Sequence, residues 1–292
     1  MKAFVIGNVA LDETVAIDDF PRAGASIFGA QLSRDLGGKG ANQAIAMART
    51  GLDCQLVAAI GRDARGEDIA ARLAVEALPA DLILLDGVAT DFSMILMASI
   101  GENAVITTRE AAAALTPQQA RLALTPAQPG DLLAMQGNLS IETTRAALMA
   151  AREAGLMSAL NPSPLQPVFA TLWPLVDTAF VNEGEAEALG GVDALLMAGA
   201  GQVVLTLGGR GAALIRRGET VQVPARTAQV VDTTGAGDCF MAVALASAGL
   251  RGVGLDARAL AHGAAAAAHT VARAGTVAAF PDRAGMAAIL SA

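Results

Sequence analysis

The chain has 292 residues, of which 53% are hydrophobic, and its formal net charge is −8. A chain of this length and composition can bury a sizeable apolar core. The acidic balance, with no run of basic residues, excludes a typical nucleic-acid-binding protein. The alanine run 264–268 is too short to span a membrane, and Met1 leads into an apolar run without signal-peptide features. We therefore expect a cytoplasmic protein with no membrane partner.

Short apolar runs that predict buried strands alternate along the chain with helical stretches. The predicted strands are residues 4–6, 55–59, 132–135, 157–160, 178–181 and 203–206. The predicted helices are residues 40–50, 67–78, 117–124, 141–154 and 183–189. This alternation is typical of the α/β class, a doubly wound and mostly parallel sheet with helices on both faces. Ligands bind such sheets at the carboxyl ends of the strands.

Two regions, residues 14–36 and 92–108, interrupt this alternation. They are predicted to be extended segments with turns rather than crossover helices. Within the second region, Phe92 begins a clear strand pattern. These regions predict additional strands outside the parallel sheet.

A glycine cluster, Gly37-Gly38-Lys39-Gly40-Ala41-Asn42, precedes the first predicted helix. It is not a nucleotide-binding P-loop, because Gly40 follows the lysine where Ser or Thr is required. The glycines would let the backbone approach a small polyol, while Lys39 and Asn42 supply directional hydrogen bonds. Lys2 is the only other lysine of the chain, so we interpret Lys39 as a functional residue rather than as a solubilising surface charge. The alternative is a flexible surface turn.

A second cluster, residues 231–238, has the sequence Val-Asp-Thr-Thr-Gly-Ala-Gly-Asp and runs into an apolar helix. Small residues at 235–237 allow consecutive N–H groups to point into one space, and the helix N-terminus adds its positive dipole end. Asp238 lies beside this anion pocket, where a carboxylate is useful as a base for phosphoryl transfer to a hydroxyl group. The alternative is an ordinary turn with a helix N-cap.

Together these clusters resemble the ribokinase-like (PfkB) carbohydrate kinase family, and five further segments match the family in order. These segments are residues 2–12, ending in Asp12; 59–66, with a Gly-x-Asp-x-x-Gly turn; 160–164, with an Asn-Pro pair; 181–187, with an Asn-x-x-Glu motif; and 206–211, with a Gly-Gly-Arg-Gly turn. The matches span nearly the whole chain. The resemblance implies a single kinase domain over residues 1–292, with a small β-sheet lid formed by segments 14–36 and 92–108. In the family this lid often pairs with a second subunit, so a homodimer is also expected.

The activity implied by the resemblance is transfer of the γ-phosphoryl group of ATP to a hydroxyl group of a small free sugar, with ribose or a related pentose expected. Asp238 would be the catalytic base, and the N–H groups of Gly235, Ala236 and Gly237 would stabilise the phosphoryl oxygens. The residues implied to orient the sugar are Asp12, Gly38, Lys39, Asn42 and Asn138.

The same resemblance implies a nucleotide groove and two cations. The implied nucleotide-binding residues are Asn182, Thr206, Gly208 and Gly211. Glu185, together with Asn182, would hold Mg²⁺ through water. A monovalent cation, often potassium in the family, would have as ligands Asp232, Thr234 and backbone carbonyl groups around Arg273 and Gly275.

The sequence departs from the family pattern near the sugar. Ala10 stands where an Asn is found two residues before the sugar-binding Asp, and Asn138 where a Glu is found. Near the cation site, Ala279 stands where a Ser is found. A ketohexose, nucleoside or sugar-phosphate kinase of the same fold therefore remains an alternative, as does a sugar sensor without catalysis. Cys239 follows Asp238, but a small apolar role in the helix is expected for it rather than nucleophilic catalysis.

Overall fold

The computed structural model describes residues 1–100 and 102–292. The strands are β1 (Lys2–Ile6), β2 (Ala10–Ile17), β3 (Gly29–Gly37), β4 (Asp53–Gly61), β5 (Ala80–Leu85), β6 (Phe92–Ala98), β7 (Asn103–Thr107), β8 (Leu132–Gln136), β9 (Met157–Asn161), β10 (Thr178–Asn182), β11 (Gln202–Thr206), β12 (Ala212–Arg216) and β13 (Glu219–Val223). The α-helices are α1 (Lys39–Arg49), α2 (Ala64–Leu73), α3 (Glu110–Ala114), α4 (Pro117–Ala123), α5 (Ile141–Glu153), α6 (Glu183–Ala188), α7 (Val192–Met197), α8 (Ala236–Arg251), α9 (Ala257–Val271) and α10 (Arg283–Ser291).

The large sheet has nine strands in the order β13-β12-β11-β10-β9-β8-β1-β4-β5. Neighbours from β11 to β5 pair in parallel, whereas β12 is antiparallel to β11 and β13. Parallel neighbours require crossover connections; α2 links β4 to β5, and α5 links β8 to β9. The strand order reverses between β1 and β8. In open α/β sheets such a reversal opens a crevice at the carboxyl ends of the strands.

The core lies on both faces of this sheet. Along β1, Ala3 and Val5 belong to one apolar cluster, which includes residues of α1, α8 and α9. Phe4 and Ile6, which point the other way, belong to a second cluster with residues of α5. Burial on both faces explains why the central strands are continuous apolar runs rather than alternating patterns.

The small sheet has four strands in the order β3-β2-β6-β7. Strand β2 is antiparallel to β3 and parallel to β6, and β6 is antiparallel to β7. Through β2 and β3 this sheet is continuous in sequence with both β1 and α1 of the larger layer. The small sheet is thereby held beside the crevice at the carboxyl end of β1.

The predicted fold class is confirmed, and each of the six predicted strands is present with ends shifted by no more than two residues. The helix predicted at 67–78 was misplaced, since it begins at Ala64 and ends at Leu73. Its start is fixed by the Asp63 side chain, which caps it by accepting a hydrogen bond from Gly66 N at 2.9 Å. Strand β2 starts at Ala10, before the predicted boundary of 14, so Asp12 belongs to the small sheet. Gly101, within the second predicted lid segment, lies outside the described residues.

Candidate active site

The N-terminus of α8 is formed by the predicted glycine turn. Gly235 has φ +72°, and a Cβ there would lie 2.9 Å from Thr276 Cγ2. Only glycine adopts this backbone conformation without strain. The N–H of Ala236 donates to the carbonyl of Thr233 at 3.3 Å, whereas those of Gly235 and Gly237 have no protein acceptor among the described residues. The turn therefore presents free backbone donors at a helix N-terminus, as anion binding requires.

Asp238 lies in the first turn of α8 and is only 6% exposed. Its Oδ2 accepts a hydrogen bond from Asn42 Nδ2 at 3.0 Å, and its Oδ1 accepts one from Gln43 Nε2 at 2.9 Å. Both donors are on α1, so the two glycine clusters meet at this carboxylate. Two neutral amides, rather than a cation, hold the candidate base.

The turn before α1 requires its glycines because other backbone lies close to it. Gly38 has φ +88°, and a Cβ there would lie 2.8 Å from Val9 Cα. A Cβ at Gly40 would lie 2.6 Å from the carbonyl oxygen of Asn8. Asn8 closes the turn further, since its Oδ1 accepts from Gly40 N at 3.2 Å. The glycine cluster is an ordered turn that packs against the segment after β1, and not a flexible surface loop.

Asp12 is buried on β2 and faces the same turn. Its Oδ2 lies 3.5 Å from Thr276 Oγ1. Burial raises the pKa of Asp12 to about 6; a hydrogen bond from Ser93 opposes this increase, while the charge of Asp238 adds to it. A buried carboxylate with this pKa is ionised at neutral pH and can accept hydrogen bonds from hydroxyl groups.

Three buried side-chain oxygens in this region have no hydrogen-bond partner among the described residues. They are Asn42 Oδ1, Gln136 Oε1 and Asn138 Oδ1. Buried polar atoms are rarely left unpaired. All three are acceptors. Asn42 and Asn138 are predicted sugar residues, so a ligand that completes their oxygens must bring donors, as a polyol does. Lys39, half-buried at the start of α1, supplies a donor at the same turn.

A cavity of about 790 Å³ lies at the α8 N-terminus, and Asp12, Asn42 and Asp238 are not among its lining residues. All four predicted nucleotide-binding residues, Asn182, Thr206, Gly208 and Gly211, line it. Ala236 and Gly237 line the same cavity, which brings the candidate anion turn to its wall. Small and apolar residues supply much of the remaining wall: Phe240, Ala264, Ala267, Ala268 and Val271.

Glu185 does not line this cavity. Its carboxylate accepts a hydrogen bond from Asn182 N at 3.0 Å, while Asn182 Oδ1 accepts from Glu185 N at 2.8 Å. This capping box fixes the start of α6. Glu183, two residues earlier, does line the cavity and pairs with Arg210.

The residues expected around a monovalent cation are partly assembled. The carboxylate of Asp232 accepts from Thr234 N at 2.9 Å and from Gly275 N at 3.1 Å, which joins two loops beside the α8 N-terminus. The Arg273 side chain is exposed and donates to the carbonyl of His269 at 2.8 Å. Only its backbone would be available as a ligand.

Two residues at the site were not predicted from the sequence. Gln43 holds Asp238, and Gln136 Nε2 donates to Gln43 Oε1 at 2.7 Å. The sequence did contain a signal for each. Gln43 is a polar residue in a helix whose following residues are small or apolar, and Gln136 is a polar residue at the end of an apolar strand. Cys239, in contrast, is fully buried, and burial raises the pKa of its thiol to about 12, which suits packing and not nucleophilic attack.

In the described part of the chain, no helix has the length and apolar character needed to cross a membrane.

Comparison with known proteins shows the family to which the chain belongs. The model of the pfkB family of carbohydrate kinases matches residues 2–283. A ribokinase of Haemophilus influenzae is 30% identical over 249 residues, covering 81% of each chain. The structure of a ribokinase from Thermotoga maritima superimposes with a TM-score of 0.90 at 26% identity, covering all of both chains. A ribokinase of Arabidopsis thaliana, solved with ribose and ATP, gives a TM-score of 0.84 at 26% identity, covering 99% of this chain and 98% of that one. The chain belongs to the pfkB family of carbohydrate kinases, which are phosphotransferases with an alcohol group as acceptor.

Proposed function

We propose that the protein transfers the γ-phosphoryl group of ATP to a hydroxyl group of a small free sugar, ribose or a related pentose. The observation that carries this proposal is the position of Asp238. It lies in the first turn of α8, directly after Gly237, which lines the cavity. It also accepts a hydrogen bond from Asn42, whose own Oδ1 is a buried acceptor without a partner among the described residues. One carboxylate can then act on a sugar hydroxyl while the preceding turn holds phosphate.

In this reaction Asp238 takes the proton of the attacking hydroxyl as the new oxygen–phosphorus bond forms. The bond from the γ-phosphorus to its bridging oxygen breaks, and ADP leaves. The N–H groups of the 235–237 turn stabilise charge on the phosphoryl oxygens. The Ala236 N–H is shared with Thr233, so Gly235 and Gly237 are the freer donors.

The acceptor site favours a free sugar over a sugar phosphate. Asp12, Asn42 and Asn138 present oxygen acceptors, and hydroxyl groups are the donors that match them. A phosphate on the acceptor would bring negative charge towards the carboxylates of Asp12 and Asp238. Lys39 and Gly38 would complete the sugar site from the turn before α1.

The residues around the cavity fit Mg²⁺, which proteins hold with one or two carboxylates together with phosphates and water. Glu183 reaches the cavity wall, and Glu185 lies in the same first turn of α6. We propose that Glu185 and Asn182 hold the ion through water. When bound, Mg²⁺ neutralises charge on the transferring phosphates. A monovalent cation such as potassium would be held by Asp232, Thr234 and the carbonyl groups near Arg273 and Gly275.

The small sheet is proposed to act as a lid and as a homodimer interface. Phe28, just before β3, is 99% exposed, and Leu32 of β3 and Ile106 of β7 are also exposed. Apolar side chains in this number favour a partner surface. Sedimentation should give a dimer that a Leu32→Asp, Ile106→Asp variant converts to monomer. A monomeric wild-type protein would contradict the interface.

The function is tested by measuring ADP release with ATP, Mg²⁺ and KCl across free pentoses, ketohexoses, nucleosides and sugar phosphates. Turnover of a free pentose, lost in Asp238→Asn, supports the proposal. Preference for a nucleoside, ketohexose or sugar phosphate would overturn the substrate class but keep the chemistry. Sugar binding by calorimetry without any turnover would indicate a sensor.

A further inference from the structure

We propose that Gln43 is a positioning residue for Asp238, oriented in turn by Gln136, and that this relay reserves Asp238 Oδ2 for the substrate proton. The inference rests on the proposed role of Asp238 as the base. Gln136, Gln43 and Asp238 form a continuous hydrogen-bonded chain, with donor–acceptor distances of 2.7 Å and 2.9 Å. The two glutamines are fully buried, so neither is positioned as a surface contact.

The direction of this relay is fixed by charge. An ionised carboxylate only accepts hydrogen bonds, so Gln43 must present its NH₂ group to Asp238. Its Oε1 therefore faces Gln136, which must in turn present its own NH₂ group. Neither amide can reverse without placing two oxygens against each other.

The relay begins at the crevice where the strand order of the large sheet reverses. Gln136 ends β8, and Gly7 follows the neighbouring strand β1. A Cβ at position 7 would lie 2.0 Å from Gln136 Oε1, so glycine at this position makes room for the amide. The rigid sheet is thus connected through α1 to the carboxylate at the start of α8.

The two oxygens of Asp238 consequently have different roles. Gln43 holds Oδ1 from a buried position that a substrate does not reach. Oδ2 is held by Asn42, whose own Oδ1 has no partner and which belongs to the proposed sugar site. A sugar hydroxyl can replace the Asn42 donor at Oδ2, while the hydrogen bond from Gln43 to Oδ1 keeps the Asp238 carboxylate in the same orientation. The proton passes from the hydroxyl to Oδ2, with the bond changes given above.

The charged and titratable groups near Asp238 come from three other elements or from its own helix. Asp12 of β2 interacts electrostatically with it, and Asp35 of β3 acts on Asp12. Cys239 follows on α8, and Arg49 of α1 lies within electrostatic range of that thiol. The amide donors of Asn42 and Gln43 are the groups in direct hydrogen-bond contact with the carboxylate.

The test compares Gln43→Leu, Gln136→Leu and the control Ser158→Ala. Ser158 is a buried polar residue near the amino end of β9, away from the site, where its hydroxyl donates to Leu175 O at 2.9 Å. We expect Gln43→Leu to lower kcat about 10- to 100-fold with the sugar KM changed less than about threefold.

Gln136→Leu should cause a smaller decrease in kcat, and Ser158→Ala should leave kcat and the sugar KM unchanged. If Gln43→Leu does not fold, the kcat and KM of Gln136→Leu alone decide. An unchanged kcat in the folded glutamine variants, or a loss confined to KM, would overturn the relay. Asp238→Asn is measured in parallel: full activity there would refute the base itself, whereas an inactive Asp238→Asn beside a normal Gln43→Leu would refute only the relay.

Discussion

The cavity and the buried polar region around Asp238 both reach the α8 N-terminus but are built differently. On the cavity side, the predicted nucleotide residues include Gly208 and Gly211, and glycine and alanine make up much of the wall. On the acceptor side, Asp12, Asn42 and Asp238 are buried polar side chains in mutual contact or electrostatic range. Under the proposed function, the phosphate donor would be recognised mainly by the main chain and small residues, and the acceptor mainly by polar side chains. Single side-chain changes should therefore affect the acceptor side more.

The largest effect is expected for Asp238→Asn. An amide keeps the shape but cannot accept the hydroxyl proton, so kcat should fall about 10⁴-fold or more while ATP affinity changes little. Steady-state kinetics and ATP calorimetry on the same variant separate the two quantities. Loss of ATP binding with an intact kcat would reverse the proposed division of the two sides.

Asp12 should give the acceptor side a pH dependence. Its pKa is about 6 in the folded protein against 3.8 as reference, so the folded state binds the proton more tightly. The contribution of Asp12 to the free energy of unfolding is at most about 3 kcal/mol. It is fully present below about pH 4 and is lost as the pH rises through 6. Urea unfolding from pH 4 to 8 should show this loss in the wild type and not in Asp12→Asn.

If Asp12 binds the sugar as proposed, sugar affinity should depend on pH in the opposite direction. Below pH 6 the protonated carboxyl loses acceptor capacity, so the sugar KM should rise by up to about tenfold per pH unit. Asp18→Asn, an exposed change just after β2, is the matched control and should follow the wild type. A sugar KM that is flat from pH 5 to 8 would argue against Asp12 as a sugar ligand.

Two glycines of the anion turn should respond differently to alanine. Gly235→Ala places a Cβ 2.9 Å from Thr276 Cγ2 at positive φ, and we expect a loss of about 2–3 kcal/mol in unfolding free energy. Gly237→Ala meets no heavy atom within 4 Å, so its stability should change by less than about 1 kcal/mol. Because Gly237 lines the cavity, its variant should instead raise the KM for ATP. Equal stability losses would contradict the strained turn.

The smallest expected effect concerns Mg²⁺. Glu185→Gln keeps the capping box, since Gln serves at this helix position as well as Glu, but loses the negative charge. We expect an unchanged melting temperature and an increase of about tenfold in the Mg²⁺ concentration for half-maximal activity. Glu187→Gln, exposed on the same helix, is the control. An unchanged Mg²⁺ requirement in Glu185→Gln would contradict the proposed magnesium role of Glu185 and leave it only the role of capping α6.

Much of the fold could be predicted from the sequence because its signals are local. The apolar runs at β8 and β10 match the structure within one residue, since burial on both faces leaves no polar alternation. The α2 boundary was missed because the Asp63 cap decides where the helix starts. The antiparallel strands β12 and β13 and the early start of β2 were not predicted, because pairing partners decide whether such short segments become strands.

The sequence by itself determined the class of fold, the two glycine turns and the identity of the base candidate, because each depends on residue types at short, fixed spacing. The tertiary structure decided which atoms meet. The pairing of Asn42 and Gln43 with Asp238, across about 195 residues, follows from the packing of α1 against α8. The assignment of Gln136 to this network follows from the adjacency of β1 and β8. Hydrogen bonds between distant segments depend on side-chain direction and strand order, which local spacing does not specify.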